Sequence, residues 1–168
     1  LYRADRINSA AEALATRINR TIVDQLQNKL PRKPKKDRKI TICSSIRDQR
    51  ELGAQIIADL FESDGWTVRF LGGSVNNDDI MEFIHSFRPD VLLIHGIDAN
   101  RAPDVRRLID SIKNVNAFPY MKIMLSGGIF DRAEGLWEEI GADLYAPNAS
   151  EAVRIASLEE EMIEQPTR

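Results

Sequence analysis

The sequence predicts an α/β fold, a five-stranded parallel sheet of order 2-1-3-4-5 covered by helices on both faces. Three observations predict it. Short apolar runs alternate with helical patterns five times in succession after residue 38, the signature of βα units. Two of these runs, P89-D-V-L-L-I-H95 and Y120-M-K-I-M-L125, are apolar almost throughout, as strands buried on both faces must be. The length of 168 residues suits one domain with one extra element.

The extra element comes first. Ile7, Ala11, Leu14, Ile18, Ile22, Leu26 and Leu30 repeat at helical spacing, predicting one long helix over 4–30 with a narrow apolar stripe. That stripe needs a partner surface, either upstream helices or a second copy of the chain, so a homodimer through this helix is one expectation. The segment P31-R-K-P-K-K-D-R-K39 holds two prolines and six basic residues. Proline ends the helix and the charge keeps the segment solvated, so 31–38 reads as a basic linker. The domain proper is expected over 39–164.

Within it, K39-I-T-I-C43 is a β-branched strand that closes on a buried cysteine. A helix follows over 48–64, with Leu52, Ile56, Ile57, Leu60 and Phe61 on one face. T67-V-R-F-L71 is the second strand, and the helix over 78–87 is expected to be capped by Asp78. After the third strand, residues 102–114 form a helix. The fourth strand leads through S126-G-G-I129 into a helix over 131–140. A142-D-L-Y-A146 is a short fifth strand, and a helix over 150–161 closes the domain. Trp66 and Trp137 read as packing residues.

Composition narrows the function. Hydrophobic residues make up 43% and charged residues 29%, ordinary for a globular protein. No apolar run is long enough to cross a membrane, and no signal peptide is visible. One cysteine, Cys43, excludes an internal disulfide and fits a reducing cytoplasm. A net charge of −3 gives no general case for nucleic-acid contact. The chain begins at Leu1 and not at methionine, so we expect a segment of a longer protein.

In a sheet of this order, ligands sit beyond the carboxyl ends of the strands, at the switch point between strands 1 and 3. Three loops meet there: S44-S-I-R-D-Q-R-E-L-G53, H95-G-I-D-A-N-R101 and S126-G-G-I-F-D131. They offer glycines for close backbone approach and a few polar side chains. A phospho-accepting receiver domain shares this fold, but it needs an acidic pair after strand 1, an aspartate ending strand 3 and a lysine after strand 5. Here strand 3 ends in His95 and strand 5 runs Y145-A-P-N148, so that chemistry is missing. Walker and Rossmann phosphate motifs are absent, and no nucleophile is paired with a base, so no enzyme is predicted.

The flavodoxin-like topology and the spacing of D48-Q-R-E-L-G53, H95-G-I97 and S126-G-G128 resemble the cobalamin (B12)-binding domain, over roughly residues 38–158. The family signature places D-x-H-x-x-G, S-x-L and G-G at these positions. The resemblance implies a ligand pocket lined by Asp48, Arg50, Gly53, His95, Gly96, Ser126, Gly127 and Gly128. In the family the first-loop histidine ligates cobalt, and the strand-3 serine packs near the cofactor tail. Arg50 stands in the histidine's place, and a guanidinium has no free lone pair for a metal. Asp48 is placed to pair with Arg50 or Arg47. His95 stands in the serine's place and is larger.

Related light sensors carry a Glu-His pair on a preceding helix, where this chain has Glu12-Ala13. Haem-binding variants exist among antirepressors of photosynthesis genes, and the chain resembles them in lacking the motif histidine. These features lead us to expect a non-catalytic sensory or regulatory domain of a bacterial signalling or transcription-control protein, acting through a protein partner. The expected cofactor is none or haem, with His95 as the metal ligand, and cobalamin is less favoured. Two alternatives stay open: a cofactor-binding sensor, and a corrinoid carrier subunit of a methyltransferase or mutase.

Overall fold

The computed structural model describes residues 9–44, 51–73, 75–96 and 98–164. They fall into two compact units, Leu1–Pro31 and Arg32–Arg168. The first contains a single helix, α1 (Ser9–Gln27), on which Leu14, Ile18, Ile22 and Leu26 recur every four residues.

The second unit is a five-stranded parallel sheet in the order β2-β1-β3-β4-β5. Its elements in chain order are β1 (Lys39–Ser44), α2 (Leu52–Ser63), β2 (Thr67–Gly72), α3 (Asn77–Phe87), β3 (Val91–His95), α4 (Ala102–Val115), β4 (Lys122–Ser126), α5 (Gly128–Arg132), α6 (Leu136–Ile140), β5 (Leu144–Ala146) and α7 (Ala149–Glu164). A short 3₁₀ turn, Ala99–Arg101, precedes α4.

The strands divide their side chains between two cores, because successive residues point to opposite faces. Ile40, Ile42, Val91, Leu93, Met124 and Ala146 pack with Ala54, Ile57 and Phe61 of α2 and Ala152 and Ala156 of α7. Cys43, Leu92, Ile94, Ile123 and Leu125 pack with α3 and α4 on the other face. This is why β3 has no polar position before its last residue: both of its faces are core. The chain moves outward from β1 to β2, then crosses back to β3, and a right-handed crossover requires the covering helices to change face at that reversal. The switch point therefore lies between β1 and β3.

Two local expectations change. The cap of α3 is Asn76, whose side chain accepts from the Asp79 N–H, and not Asp78, which lies inside the first turn. The helix expected over 131–140 is two short helices, because Gly135 adopts φ +77° and breaks the run.

Candidate functional site

Parallel pairing brings the strand ends to one edge. The register sets Ser44 beside His95, His95 beside Ser126 and Ser126 beside Ala146, a single row across the sheet. Ser44 and Ser126 are buried. The Ser44 hydroxyl has no hydrogen-bond partner among the described residues.

Beyond that row the loops cross closely. Gly96 donates its N–H to the Ser126 carbonyl at 2.9 Å. Gly127 lies at φ +114°, ψ 163°, a region open to glycine alone. A Cβ there would meet the Gly96 carbonyl oxygen at 2.2 Å. A Cβ on Gly96 would in turn meet the Phe130 ring at 3.2 Å. Two loop backbones thus touch with no side chain between them, which requires glycine on the β4 side.

His95 reaches the other way. Its imidazole Nε2 lies 2.7 Å and its Cε1 3.1 Å from where a Cβ on Gly53 would stand. The ring therefore closes over the first turn of α2, and glycine at 53 makes room for it. Glu51, just before that turn, accepts the Gly73 N–H at 2.7 Å and ties the first loop to the end of β2.

On the far side of the crossing, Tyr145 of β5 donates its hydroxyl to Asp131 of α5, and Trp137 stacks on the Tyr145 ring at 6.2 Å between centroids. Burial, and then the Asp131 carboxylate, push the Tyr145 phenol up to about 12, so it stays a proton donor. Burial likewise pushes the Cys43 thiol up to about 12, which leaves it an inert core group.

Of the residues expected in the pocket, Gly53, His95, Gly96, Ser126, Gly127 and Gly128 gather at this edge, with Gly128 beginning α5. Asp48 and Arg50 lie outside the described residues, as does Arg47. Ser44, Glu51 and Tyr145 were not singled out from the sequence as site residues. Ser44 carried a signal, since it ends the first strand at the switch point, whereas Tyr145 and Asp131 are joined only by tertiary folding. His85 sits exposed on α3, its ring edge-on to Phe118, away from the strand ends. No group of three or more histidine, cysteine or acidic side chains suited to a metal occurs among the described residues.

The fold and this glycine-built edge are those of a domain of the flavodoxin-like class. The chain belongs to the B12 binding domain family, whose model matches residues 39–154. Dimethylamine corrinoid protein 3 of Methanosarcina acetivorans is 27% identical over 146 residues, covering 86% of this chain and 65% of that protein. The chain spans about half the length of other curated relatives it matches (49% of one of them). Among solved structures, the monomethylamine corrinoid protein of Methanosarcina barkeri matches with a TM-score of 0.80 at 20% identity, over 92% of this chain and 73% of that one. The methanol:cobalamin methyltransferase complex MtaBC of Methanosarcina barkeri gives 0.66 at 16% identity, over 99% and 62%. The likeness to these two structures is one of fold.

These relatives correct the expectation of a sensory or regulatory domain. That expectation leaned on one altered side chain, the arginine at position 50, and on distant light sensors. The curated relatives are named as corrinoid proteins, and the match to one of them covers 86% of the chain. The haem and antirepressor expectations gain no support from them either.

The residues present fit a corrinoid in one respect and not in another. The crossing of Gly96 and Gly127, both buried, puts no side chain at the strand ends, which is what a flat macrocycle lying there needs. A cobalt ligand from the first loop does not fit, because position 50 is arginine.

Proposed function

We propose that the chain is the corrinoid-carrying module of a methyl-transfer system, a carrier and not a catalyst. The observation that carries this reading is the match to a dimethylamine corrinoid protein across 86% of the chain. When bound, the corrinoid supplies the cobalt chemistry of methyl transfer. The chain supplies the seat. Gly96 and Gly127 keep side chains out of the loop crossing, and the buried Ser44 hydroxyl offers a polar contact at the same edge. Arg50 stands at the motif position from which the resemblance would draw a cobalt ligand, and a guanidinium would offer the metal no lone pair. His95 stands over Gly53, so a corrinoid with a long tail has to displace its ring.

The partner of such a carrier is a protein that gives or takes the methyl group. MtaBC, a methanol:cobalamin methyltransferase complex, is the precedent among the structures of similar fold. In this reading residues 1–30 serve as an element for protein contacts, 31–38 connect it, and 39–164 carry the cofactor. A cytoplasmic setting belongs to the same proposal. No described helix is long and apolar enough to cross a membrane.

The reading is tested by mixing the chain with hydroxocobalamin, removing free cofactor by gel filtration and recording the visible spectrum, with Arg50→His alongside. Retained colour in the native chain, with a changed spectrum in Arg50→His as imidazole reaches the cobalt, is expected. A colourless folded chain in both cases overturns it.

A further inference from the structure

A cavity lies at the opposite, amino edge of the sheet, remote from the loops described above. It has a volume of about 260 Å³ and is lined by Arg32, Lys33, Lys35, Glu62, Trp66 and Arg69, with Gly65, Thr67 and Val68 behind them. We propose that this cavity binds a small soluble molecule through a phosphate group. The proposal is independent of corrinoid carriage.

The backbone that carries Arg32, Lys33 and Lys35 is held in place. The Lys33 N–H donates to the Ser63 carbonyl and the Lys36 N–H to that of Gly65, both at 2.8 Å. The same two lysines place their ammonium groups on the two oxygens of Asp64, at 2.5 and 2.9 Å. Asp64 is buried at the end of α2. The segment expected to be a solvated linker is thus pinned along the end of α2. Gly65 permits this: it lies at φ +96°, and a Cβ on it would meet the Pro34 carbonyl at 2.1 Å.

Pinning has an electrostatic consequence. Lys33 and Lys36 neutralise Asp64, so the negative charge facing Arg32, Lys35 and Arg69 is Glu62 alone. Neither Arg32 nor Lys35 forms an ion pair among the described residues. Trp66 lines the cavity with its ring, while its indole nitrogen is turned into the protein. Four cations around one cavity, against the single carboxylate of Glu62, suit a ligand that only accepts, which is the character of a phosphate dianion. At about 260 Å³ the cavity falls just below the usual range for drug-sized ligands. That size favours inorganic phosphate or a small phosphate ester over a larger molecule.

The test uses the full chain carrying Trp137→Phe, so that Trp66 is the only indole. Its fluorescence and heat of binding are followed with inorganic phosphate, pyrophosphate and, at matched ionic strength, chloride and polyglutamate. Saturable binding of a phosphate compound below about 1 mM is expected, weakened at least tenfold by Arg32→Ala with Lys35→Ala. The same affinity is expected in Arg106→Ala, a remote surface control on α4. Three results overturn the proposal: no saturable phosphate binding, affinity unchanged in the double variant, or polyglutamate binding as tightly as phosphate. The last would make the cavity a general acidic-surface contact.

Discussion

At Gly127 the chain depends on a single hydrogen atom. The backbone sits at φ +114°, and the Gly96 carbonyl oxygen occupies the place a methyl group would take. Gly127→Ala is expected to cost about 2–3 kcal/mol or to displace the loops, since both strain and a clash must be absorbed. Urea unfolding measures the first, and loss of corrinoid retention the second.

His95 makes the opposite demand, filling space beside Gly53. His95→Ser is expected to raise affinity for tail-bearing cobalamin relative to tail-free cobinamide, which paired titrations would show. Equal affinity ratios in the two proteins would deny His95 any part in gating the tail.

Asp64 gives a pH signature. Its burial opposes the charged form, but hydrogen bonds from Lys33 and Lys36 more than offset this and bring the carboxyl below its ordinary 3.8. A folded-state value that is lowered means stability present above the unfolded value and lost as pH falls through the folded one. Stability should therefore drop below about pH 4, and Asp64→Asn should lose less on the same acidification because it has no such proton to gain. Exposure of Lys33 to solvent will moderate the effect at high salt.

At this scale the sequence showed the glycines and His95, because the strand pattern alone brings them to one edge. The link between Lys33, Lys36 and Asp64 was invisible: the partners lie 31 and 28 residues apart. Nothing periodic announces them.

The elements follow from their side chains more directly. β3 reads as V91-L-L-I-H95, and its residues alternate between two cores, so every position before His95 is apolar. Leu92 is fully buried on the α3 and α4 face. Leu92→Ala is expected to cost about 2–5 kcal/mol, through lost burial and the cavity left behind. A loss under about 1 kcal/mol in urea unfolding would mean that this face collapses to fill the space. Such continuous apolar runs made the strands legible.

Helix ends were less so. Asn76 and Asp78 are both good caps by residue type, and only the backbone decides that Asn76 takes the extended conformation. Gly135 likewise looked tolerable inside a helical pattern, yet it turns left-handed and divides α5 from α6. The long apolar stripe of α1 was plain from its spacing.

The molecule as a whole was legible in topology and misread in purpose. Alternating strands and helices fix a parallel sheet, and the crossover rule fixes where its ligand edge lies. Function was harder, because the most visible departure, arginine for histidine at position 50, argues against one mode of holding cobalt and not against holding a corrinoid. Relatives named as corrinoid proteins, set beside the glycine crossing of Gly96 and Gly127, turn the reading from sensor to carrier. The central claim is that a corrinoid rests on this edge with no nitrogen ligand from the chain.

Electron paramagnetic resonance of the chain loaded with tail-free cobinamide and reduced to cobalt(II) tests this most directly. The account predicts a protein-bound cobalt(II) signal without nitrogen superhyperfine splitting, and the appearance of that splitting in Arg50→His. Nitrogen splitting already present in the native chain, or a signal from free cobinamide alone, would contradict it.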